Sequence, residues 1–227
     1  MSEAAPPVTL RIDIISDIVC PWCIIGYKQT QKALSMLTED VTAVFWWHPF
    51  ELNPDMPAGG ENVGEHIARK YGSTPEQGRA NRKRLLDIGE SLGFAFSYGD
   101  DMRIYNSFKA HKLLGIFAKE RGAKVQTALK LAFFKAYFQD GRDISDEDVL
   151  MDIAEDNGMD RKDAKQWIDD DALTQAVRAE QRQWIERDIT GVPAIIIDRK
   201  FMVPGAQSAE TFANVIRKVM AKNAEAA

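Results

Sequence analysis

Long apolar runs and an excess of basic residues are both missing from this sequence. A helix that spans a bilayer needs about 18 or more consecutive apolar residues, and no stretch approaches that length without charge. The 29 Lys and Arg residues are outnumbered by 34 Asp and Glu residues, which gives a formal net charge of -5. A nucleic-acid groove or a surface for anionic lipid would need the opposite balance. We therefore predict no membrane partner and no nucleic-acid partner.

Cysteine and histidine are also scarce. The chain contains two cysteines, Cys20 and Cys23, and three histidines at no paired spacing, His48, His66 and His111. A disulfide scaffold would need more cysteines, and a structural zinc site would need four ligands, usually in two close pairs. We therefore predict no metal site.

The N-terminal segment does not predict an export signal. The segment MSEAAPPVTL has neither a basic start nor an apolar run ahead of the first strand-like segment, so it does not resemble a signal peptide. We therefore expect a cytoplasmic protein, in a compartment that keeps thiols reduced and where structural disulfides are rare.

The composition is that of a folded globular chain, with 45% apolar and 28% charged residues. From Val8 to Ile14 apolar and polar residues alternate, which predicts a strand. The CPWC segment follows, and Pro21 suits the first turn of a helix that we predict to extend to about Thr38. Residues 41–47, VTAVFWW, are β-branched and aromatic and predict a second strand, parallel to the first.

Helical signals dominate the middle of the chain, with almost no candidate strand. Thr74 and Pro75 predict the start of one helix, and Ser145 and Asp160 are predicted to cap two others. We treat Tyr105–Phe117 and Val125–Phe138 as two separate helices.

Two short apolar runs follow Gly191-Val192-Pro193 and are joined by a turn at Asp198-Arg199, which predicts a hairpin. Ser208 is predicted to cap a final helix. The order βαβ, helical block, ββα predicts an α/β protein with a thioredoxin fold and a large all-helical insertion. We expect a thioredoxin-like domain at residues 8–60 and 188–223, and a helical insertion domain at residues 61–187.

The CxxC motif at the start of a helix suits thiol–disulfide exchange. The free N–H groups and the positive pole of the helix favour the thiolate form of Cys20, which makes it the nucleophile. Cys23 lies one turn further on and can resolve the mixed disulfide. Taken alone, a CxxC could equally be two buried apolar cysteines or half of a metal site. The preceding strand, the following helix and the distant Val192-Pro193 favour redox chemistry, with a cis peptide bond at Pro193.

Five segments together resemble the DsbA-like thioredoxin superfamily, and most of all its FrnE-type branch. They span nearly the whole chain in the family's order: SDIVCPWCIIG (16–26), PFELNP (49–54), NSFKAH (106–111), GVPA (191–194) and VPGAQ (203–207). The resemblance implies a helical domain packed over the active site and protein-disulfide oxidoreductase or isomerase activity. It also implies catalytic roles for Cys20, Cys23 and Pro193, substrate binding by the backbone of Val192, and proteins or peptides with thiols or disulfides as partners.

One departure from the family concerns the two residues between the cysteines. Periplasmic DsbA enzymes carry a histidine there, whereas this chain has Pro21 and Trp22. That difference argues against a strong oxidant, and we expect Pro21 and Trp22 to form an apolar rim that binds substrate. The resemblance also places His111 and Asn106 near the cleft. Either residue could bind substrate, and His111 could tune Cys20, or each could simply satisfy a local hydrogen bond.

The leading hypothesis is therefore a thiol–disulfide oxidoreductase or isomerase with no bound cofactor, for which glutathione is the candidate redox co-substrate. One alternative is a glutathione-dependent isomerase or transferase of small molecules, of the 2-hydroxychromene-2-carboxylate isomerase type. Those enzymes typically have serine at the position of Cys20. A further alternative is a thiol redox sensor or binding module. The oligomeric state stays open.

Overall fold

A four-stranded mixed sheet lies at the centre of the fold. The structure is a computed structural model that describes residues 8–37, 41–57 and 59–225. The elements are β1 (Val8–Ser16), α1 (Pro21–Ser35), β2 (Val41–Pro49), β3 (Glu61–Asn62), α2 (Val63–Tyr71), α3 (Pro75–Ser91), β4 (Arg103–Ile104), α4 (Phe108–Phe138), α5 (Glu147–Asp156), α6 (Arg161–Asp169), α7 (Asp171–Ile185), β5 (Ala194–Ile197), β6 (Phe201–Pro204) and α8 (Ala209–Glu225).

The strand order β2-β1-β5-β6 confirms the predicted α/β thioredoxin fold. β1 runs parallel to β2 and antiparallel to β5, and β5 and β6 form the predicted hairpin. Ser208 caps α8 as predicted, because its hydroxyl accepts a hydrogen bond from the Thr211 N–H. Helix α1 ends at Ser35, and the predicted end at Thr38 lies outside the described residues.

Two local predictions in the helical segment were wrong. Strands β3 and β4 pair antiparallel where no strand was expected, because two-residue strands are too short to show a period. Asp146, rather than Ser145, caps α5 by accepting from the Val149 N–H, while the Ser145 hydroxyl bonds to Asp143. The prediction of two separate helices is confirmed, because α4 consists of two helical segments that meet at a kink at Gly122, where the backbone leaves helical geometry and φ is 80°. The Asp160 cap was predicted correctly.

Helix α4 packs directly against the edge strand β2. The Gln126 side chain accepts a hydrogen bond from the Trp47 N–H at 3.0 Å and donates to the Trp47 carbonyl at 2.7 Å. The Gln126 amide therefore satisfies the N–H and the carbonyl of Trp47 on the edge strand β2, as a neighbouring strand would. The Trp47 ring also lies edge-on to Phe134, with 5.9 Å between the centroids. The predicted domain boundaries are not tested by these contacts and stay a prediction.

No helix in the described ranges combines the length and the apolarity needed to cross a bilayer.

His48 links the sheet to the helical segment through two carboxylates. Its Nε2 lies 2.8 Å from Asp13 Oδ1 on β1, and its Nδ1 lies 2.6 Å from Glu180 Oε1 on α7. Burial alone lowers the pKa of His48, but the hydrogen bonds to Asp13 and Glu180 and their charges outweigh burial and raise the pKa. The protonated imidazole therefore stabilises the junction.

We predict that His48→Gln destabilises the protein more at pH 6 than at pH 9. A group whose pKa is raised on folding stabilises the protein below its unfolded pKa, about 6.5 for histidine, and loses this effect as the pH rises through the folded pKa. The expected loss is about 2 kcal/mol at pH 6 and about half of that at pH 9. Urea unfolding of both proteins at the two pH values measures the difference.

Glu180→Gln is the matched control for the His48 prediction. Its side chain is 38% exposed, so its loss should cost less, while Asp13 remains in contact with His48. An equal loss of stability at pH 6 and pH 9 for His48→Gln would contradict the ionic role of this residue.

Candidate active site

The two cysteines lie where β1 passes into α1. Cys20 is the N-cap residue of α1, and the Cys23 N–H donates to the Cys20 carbonyl at 3.1 Å. Both side chains are free thiols and both are buried, with Cys20 only 3% exposed and Cys23 fully covered. Burial raises the pKa of the Cys23 thiol well above its ordinary value, and its hydrogen bond to Cys20 and the charge there raise it further. Cys20, the predicted nucleophile, is thus almost completely covered.

The loop before β5 faces Cys20. The Val192–Pro193 peptide bond is cis, as predicted, and the Cys20 thiol donates to the Val192 carbonyl at 3.6 Å. The loop lies close to α1: a Cβ atom at Gly26 would come within 3.2 Å of Pro193 Cγ. The Gly205 N–H donates to the Pro193 carbonyl at 2.8 Å and fixes the other side of the loop. The structure thus brings Cys20, Cys23, Val192 and Pro193 together.

Asp17, which the sequence analysis missed as a site residue, is a fully buried carboxylate three residues before Cys20. It accepts hydrogen bonds from the Ser107 hydroxyl and from the Leu52 N–H, both at 2.7 Å. The Nε2 atom of His111 lies 3.5 Å from Asp17 Oδ1, which is longer than a normal hydrogen bond. Burial alone raises the pKa of Asp17, but His111, Leu52 and Ser107 outweigh it and lower the pKa.

Lys130 of α4 is a second buried charge that the sequence analysis missed. Its side chain is fully covered, and within the described residues its Nζ atom has no hydrogen-bond partner. Nζ lies 5.4 Å from the centroid of the Trp47 ring and 5.0 Å from that of Phe134. Burial lowers the pKa of Lys130 to about 8, although negative charge on Cys23 and Asp17 opposes the shift. This ammonium in turn lowers the pKa of Cys23 and so opposes the effect of burial.

A cavity of about 90 Å³ lies behind this buried cluster. Its walls come from β2, α4 and α7, and its polar lining comprises His48, His111, Gln126, Lys130 and Glu180. In the part of the chain that the structure describes, His111 Nε2, like the Lys130 ammonium, has no hydrogen-bond partner. His111 is 2% exposed, so its position favours an effect on Asp17 over direct contact with substrate.

Asn106 lies in the neighbouring loop and holds backbone in place. Its Oδ1 accepts from the Phe108 N–H at 2.9 Å, and its Nδ2 donates to the Pro54 carbonyl at 3.3 Å. The amide oxygen is thus engaged with backbone at the start of α4, and the amide nitrogen with backbone in the loop after β2. Its predicted role in substrate binding is not tested by these contacts and stays a prediction.

Pro21 and Trp22 form the half-buried rim of the site. The guanidinium of Arg84, on α3, lies over the Trp22 ring at 5.9 Å from the centroid. Tyr98 also belongs to this side of the site: burial raises the pKa of its hydroxyl, and negative charge on Cys20 raises it further. Among the described residues, no group of three or more His, Cys, Asp or Glu side chains could hold a metal ion.

Comparison with known proteins places this chain in a family. The chain is 28% identical over 220 residues to the uncharacterized protein YwbO of Bacillus subtilis, covering 92% of this chain and 96% of YwbO. It is 32% identical to a probable DsbA oxidoreductase from Streptomyces coelicolor, with a TM-score of 0.84 over 93% of this chain and 90% of that one.

A third structure shares the fold. The cytosolic disulfide reductase DsbM from Pseudomonas aeruginosa, solved with GSH, is 15% identical, with a TM-score of 0.58 over 92% of this chain and 98% of DsbM. Residues 11–217, most of the chain, match the family described as the DSBA-like thioredoxin domain. This chain therefore belongs to the DSBA-like thioredoxin domain family.

Proposed function

We propose that this protein is a FrnE-type thiol–disulfide oxidoreductase or isomerase that uses Cys20 and Cys23 on substrates with disulfides. The observation that carries the proposal is the contact of the Cys20 thiol with the Val192 carbonyl, 3.6 Å away, together with the fully buried Cys23, whose N–H donates to the Cys20 carbonyl. An exchange enzyme needs an attacking thiol, a second thiol within reach and a backbone edge that holds the substrate.

The first step is attack by the Cys20 thiolate on one sulfur of a substrate disulfide. The attack forms a mixed disulfide and releases the other substrate sulfur as a thiolate, which takes up a proton. The substrate displaces the Cys20 thiol from the Val192 carbonyl, and this carbonyl is then free to accept a hydrogen bond from the substrate backbone. The Trp22 ring supplies an apolar wall beside the reacting sulfurs.

The second step is resolution of the mixed disulfide by Cys23. Cys23 loses its proton, attacks Cys20 and releases the reduced substrate, so the enzyme gains the disulfide that the substrate loses. Because the pKa of Cys23 is well above its ordinary value, little thiolate is present. The ammonium of Lys130 stabilises this thiolate and thereby accelerates resolution. In isomerisation, a thiol of the substrate itself performs this step.

Reduction and isomerisation are the directions that we propose, in a cytoplasmic setting. Thiols are kept reduced in that compartment, and glutathione returns the oxidised enzyme to the dithiol. The DsbM structure with bound GSH supports glutathione as a redox co-substrate. The proposal needs no metal and no bound cofactor.

We predict that Cys20→Ser abolishes disulfide exchange and that Cys23→Ala traps the Cys20 mixed disulfide. Serine does not attack a disulfide, whereas loss of Cys23 removes only the resolving thiol. Reduction of a disulfide-bonded peptide, followed with glutathione present, measures the turnover. Mass spectrometry after acid quenching measures the trapped species.

The same variants separate the alternative functions. Turnover of a small aromatic substrate with glutathione that survives in Cys23→Ala would support the isomerase or transferase and contradict the proposal. A wild-type protein that oxidises readily but turns over no disulfide would support a redox sensor instead.

We predict that Lys130→Met lengthens the life of the mixed disulfide without lowering the free energy of unfolding. Removal of the ammonium raises the pKa of Cys23, and each unit of that rise slows resolution about three- to fourfold, because higher nucleophilicity offsets part of the lost thiolate. Methionine fills the space between the aromatic rings and removes a desolvated charge. Quenched-flow measurement of the mixed disulfide with hydroxyethyl disulfide at pH 7 tests this prediction.

Lys112→Met is the matched control on the same helix. Lys112 is also buried, but its ammonium donates to the carbonyls of Ile168 and Asp170 and to the Thr174 hydroxyl. Its loss should cost about 1–3 kcal/mol of stability because acceptors lose their partner, with no change in the lifetime of the mixed disulfide. An unchanged lifetime in Lys130→Met would contradict the role proposed for Lys130.

A further inference from the structure

Helix α3 carries a run of positive charge in a chain whose net charge is -5. Four of the six residues from Arg79 to Arg84 are basic. The helix is polar and mostly exposed, and within its length only Gly89 is buried. It contacts α1, the helix that begins beside Cys20. This positive surface therefore lies at the rim of the proposed active site rather than on a remote face.

Three of these four cations are neutralised by nearby carboxylates. Arg79 pairs with Glu76 at 3.0 Å, Arg82 with Asp100 at 2.5 Å, and Lys83 with Asp87 at 2.7 Å. Arg84 differs, because no carboxylate in the described parts of the chain forms an ion pair with it. Within the described ranges, Arg84 is thus the one of these four cations that has no carboxylate partner to compete with a ligand.

The unpaired guanidinium is held on the rim of the site. It lies over the ring of Trp22, 5.9 Å from the centroid, within the range of a cation–π contact. Trp22 is two residues from Cys20, so a substrate whose sulfur approaches Cys20 passes this ring. A planar guanidinium that rests on an aromatic ring keeps its N–H edge free, and that edge matches the geometry of a carboxylate.

We propose that Arg84 binds an anionic group of the substrate, so that Cys20 preferentially attacks disulfides that carry a carboxylate beside the reacting sulfurs. This inference rests on the proposed function, because it assumes that Cys20 is the attacking thiol. Glutathione disulfide and acidic cystine peptides share the required chemistry. Arg84 acts in binding and orientation, while bond exchange remains with the two cysteines.

Charged thiosulfonate reagents test the inference without any need for turnover. The Cys20 thiolate attacks the sulfenyl sulfur of a methanethiosulfonate, forms a mixed disulfide and releases methanesulfinate. In a Cys23→Ser background, 2-sulfonatoethyl methanethiosulfonate is the anionic probe and the 2-(trimethylammonio)ethyl reagent is the cationic probe. The rate of each reaction is measured by mass spectrometry, and the ratio of the two rates reports the charge preference at Cys20.

We expect Arg84→Gln to lower the rate with the anionic probe about threefold or more and to raise the rate with the cationic probe by a similar factor. Arg84→Lys, which keeps the charge, should largely retain the preference. In 1 M salt, where the Debye length is about 3 Å, the difference in rate ratio between the Arg84→Gln variant and the protein with Arg84 should become much smaller. Arg79→Gln removes one charge from the same helix and should leave the ratio almost unchanged, because Arg79 is paired with Glu76.

A second measurement identifies the source of the anionic group. We expect Arg84→Gln to raise KM more than it lowers kcat. The increase in KM is measured for glutathione disulfide and for a cystine peptide flanked by glutamate. The substrate with the larger increase in KM is the one whose anionic group Arg84 binds. Equal changes of the probe ratio in Arg84→Gln and Arg79→Gln, or an unchanged ratio in Arg84→Gln, would overturn the inference. A protein that shows the probe preference but turns over no disulfide would overturn the proposed function. The binding of anionic groups by Arg84 would still be supported.

Discussion

The buried carboxylate of Asp17 is the constraint on which the site depends. A carboxylate with no exposure must be matched by donors, and leaving such a group unpaired costs about 3–5 kcal/mol. Its donors come from two distant parts of the chain, Leu52 after β2 and Ser107 at the start of α4. Satisfying Asp17 therefore fixes the loop after β2 and the first turn of α4 against the end of β1. The Cys20 N–H donates to the Asp17 carbonyl, so this backbone turn also fixes the position of Cys20.

The sequence was sufficient for those features that local pattern determines. Alternation predicted β1, the aromatic and β-branched run predicted β2, and the turn at Asp198-Arg199 predicted the hairpin, where both residues adopt positive φ. The placement of CPWC at a helix start and of Pro193 before a strand predicted the approach of the cis-proline loop. The signals for the strands and the turn lie within a few residues of the features that they predict. The approach of the cis-proline loop to CPWC instead joins residues 172 positions apart, and it was expected from the thioredoxin-like order of the elements.

The buried charges could not be predicted in this way. Lys130 lies in the middle of an apolar helical stretch, where a lysine normally extends its ammonium to water. Only the packing of α4 against Trp47 and Phe134 shows that it remains inside. Asp17 was part of the segment SDIVCPWCIIG that carries the family resemblance, but an aspartate at the end of a strand is equally common in a solvated turn. The donors from Leu52 and Ser107 distinguish the two cases, and they become visible only in the folded chain.

In the proposed function, two cations of the helical segment affect different thiols. Lys130 is a fully buried ammonium on α4, and its charge lowers the pKa of Cys23. Arg84, on α3, lies over the Trp22 ring, where we infer that it meets a substrate that approaches Cys20. These contacts involve different helices and different thiols. If both proposals hold, mutations in α3 change which disulfide is attacked without changing how fast the mixed disulfide is resolved, and mutations in α4 change the rate of resolution without changing the choice of disulfide. In the proposed function, the thioredoxin-like part supplies the sulfur chemistry, while the helical segment sets the preferred substrate charge and the rate of release.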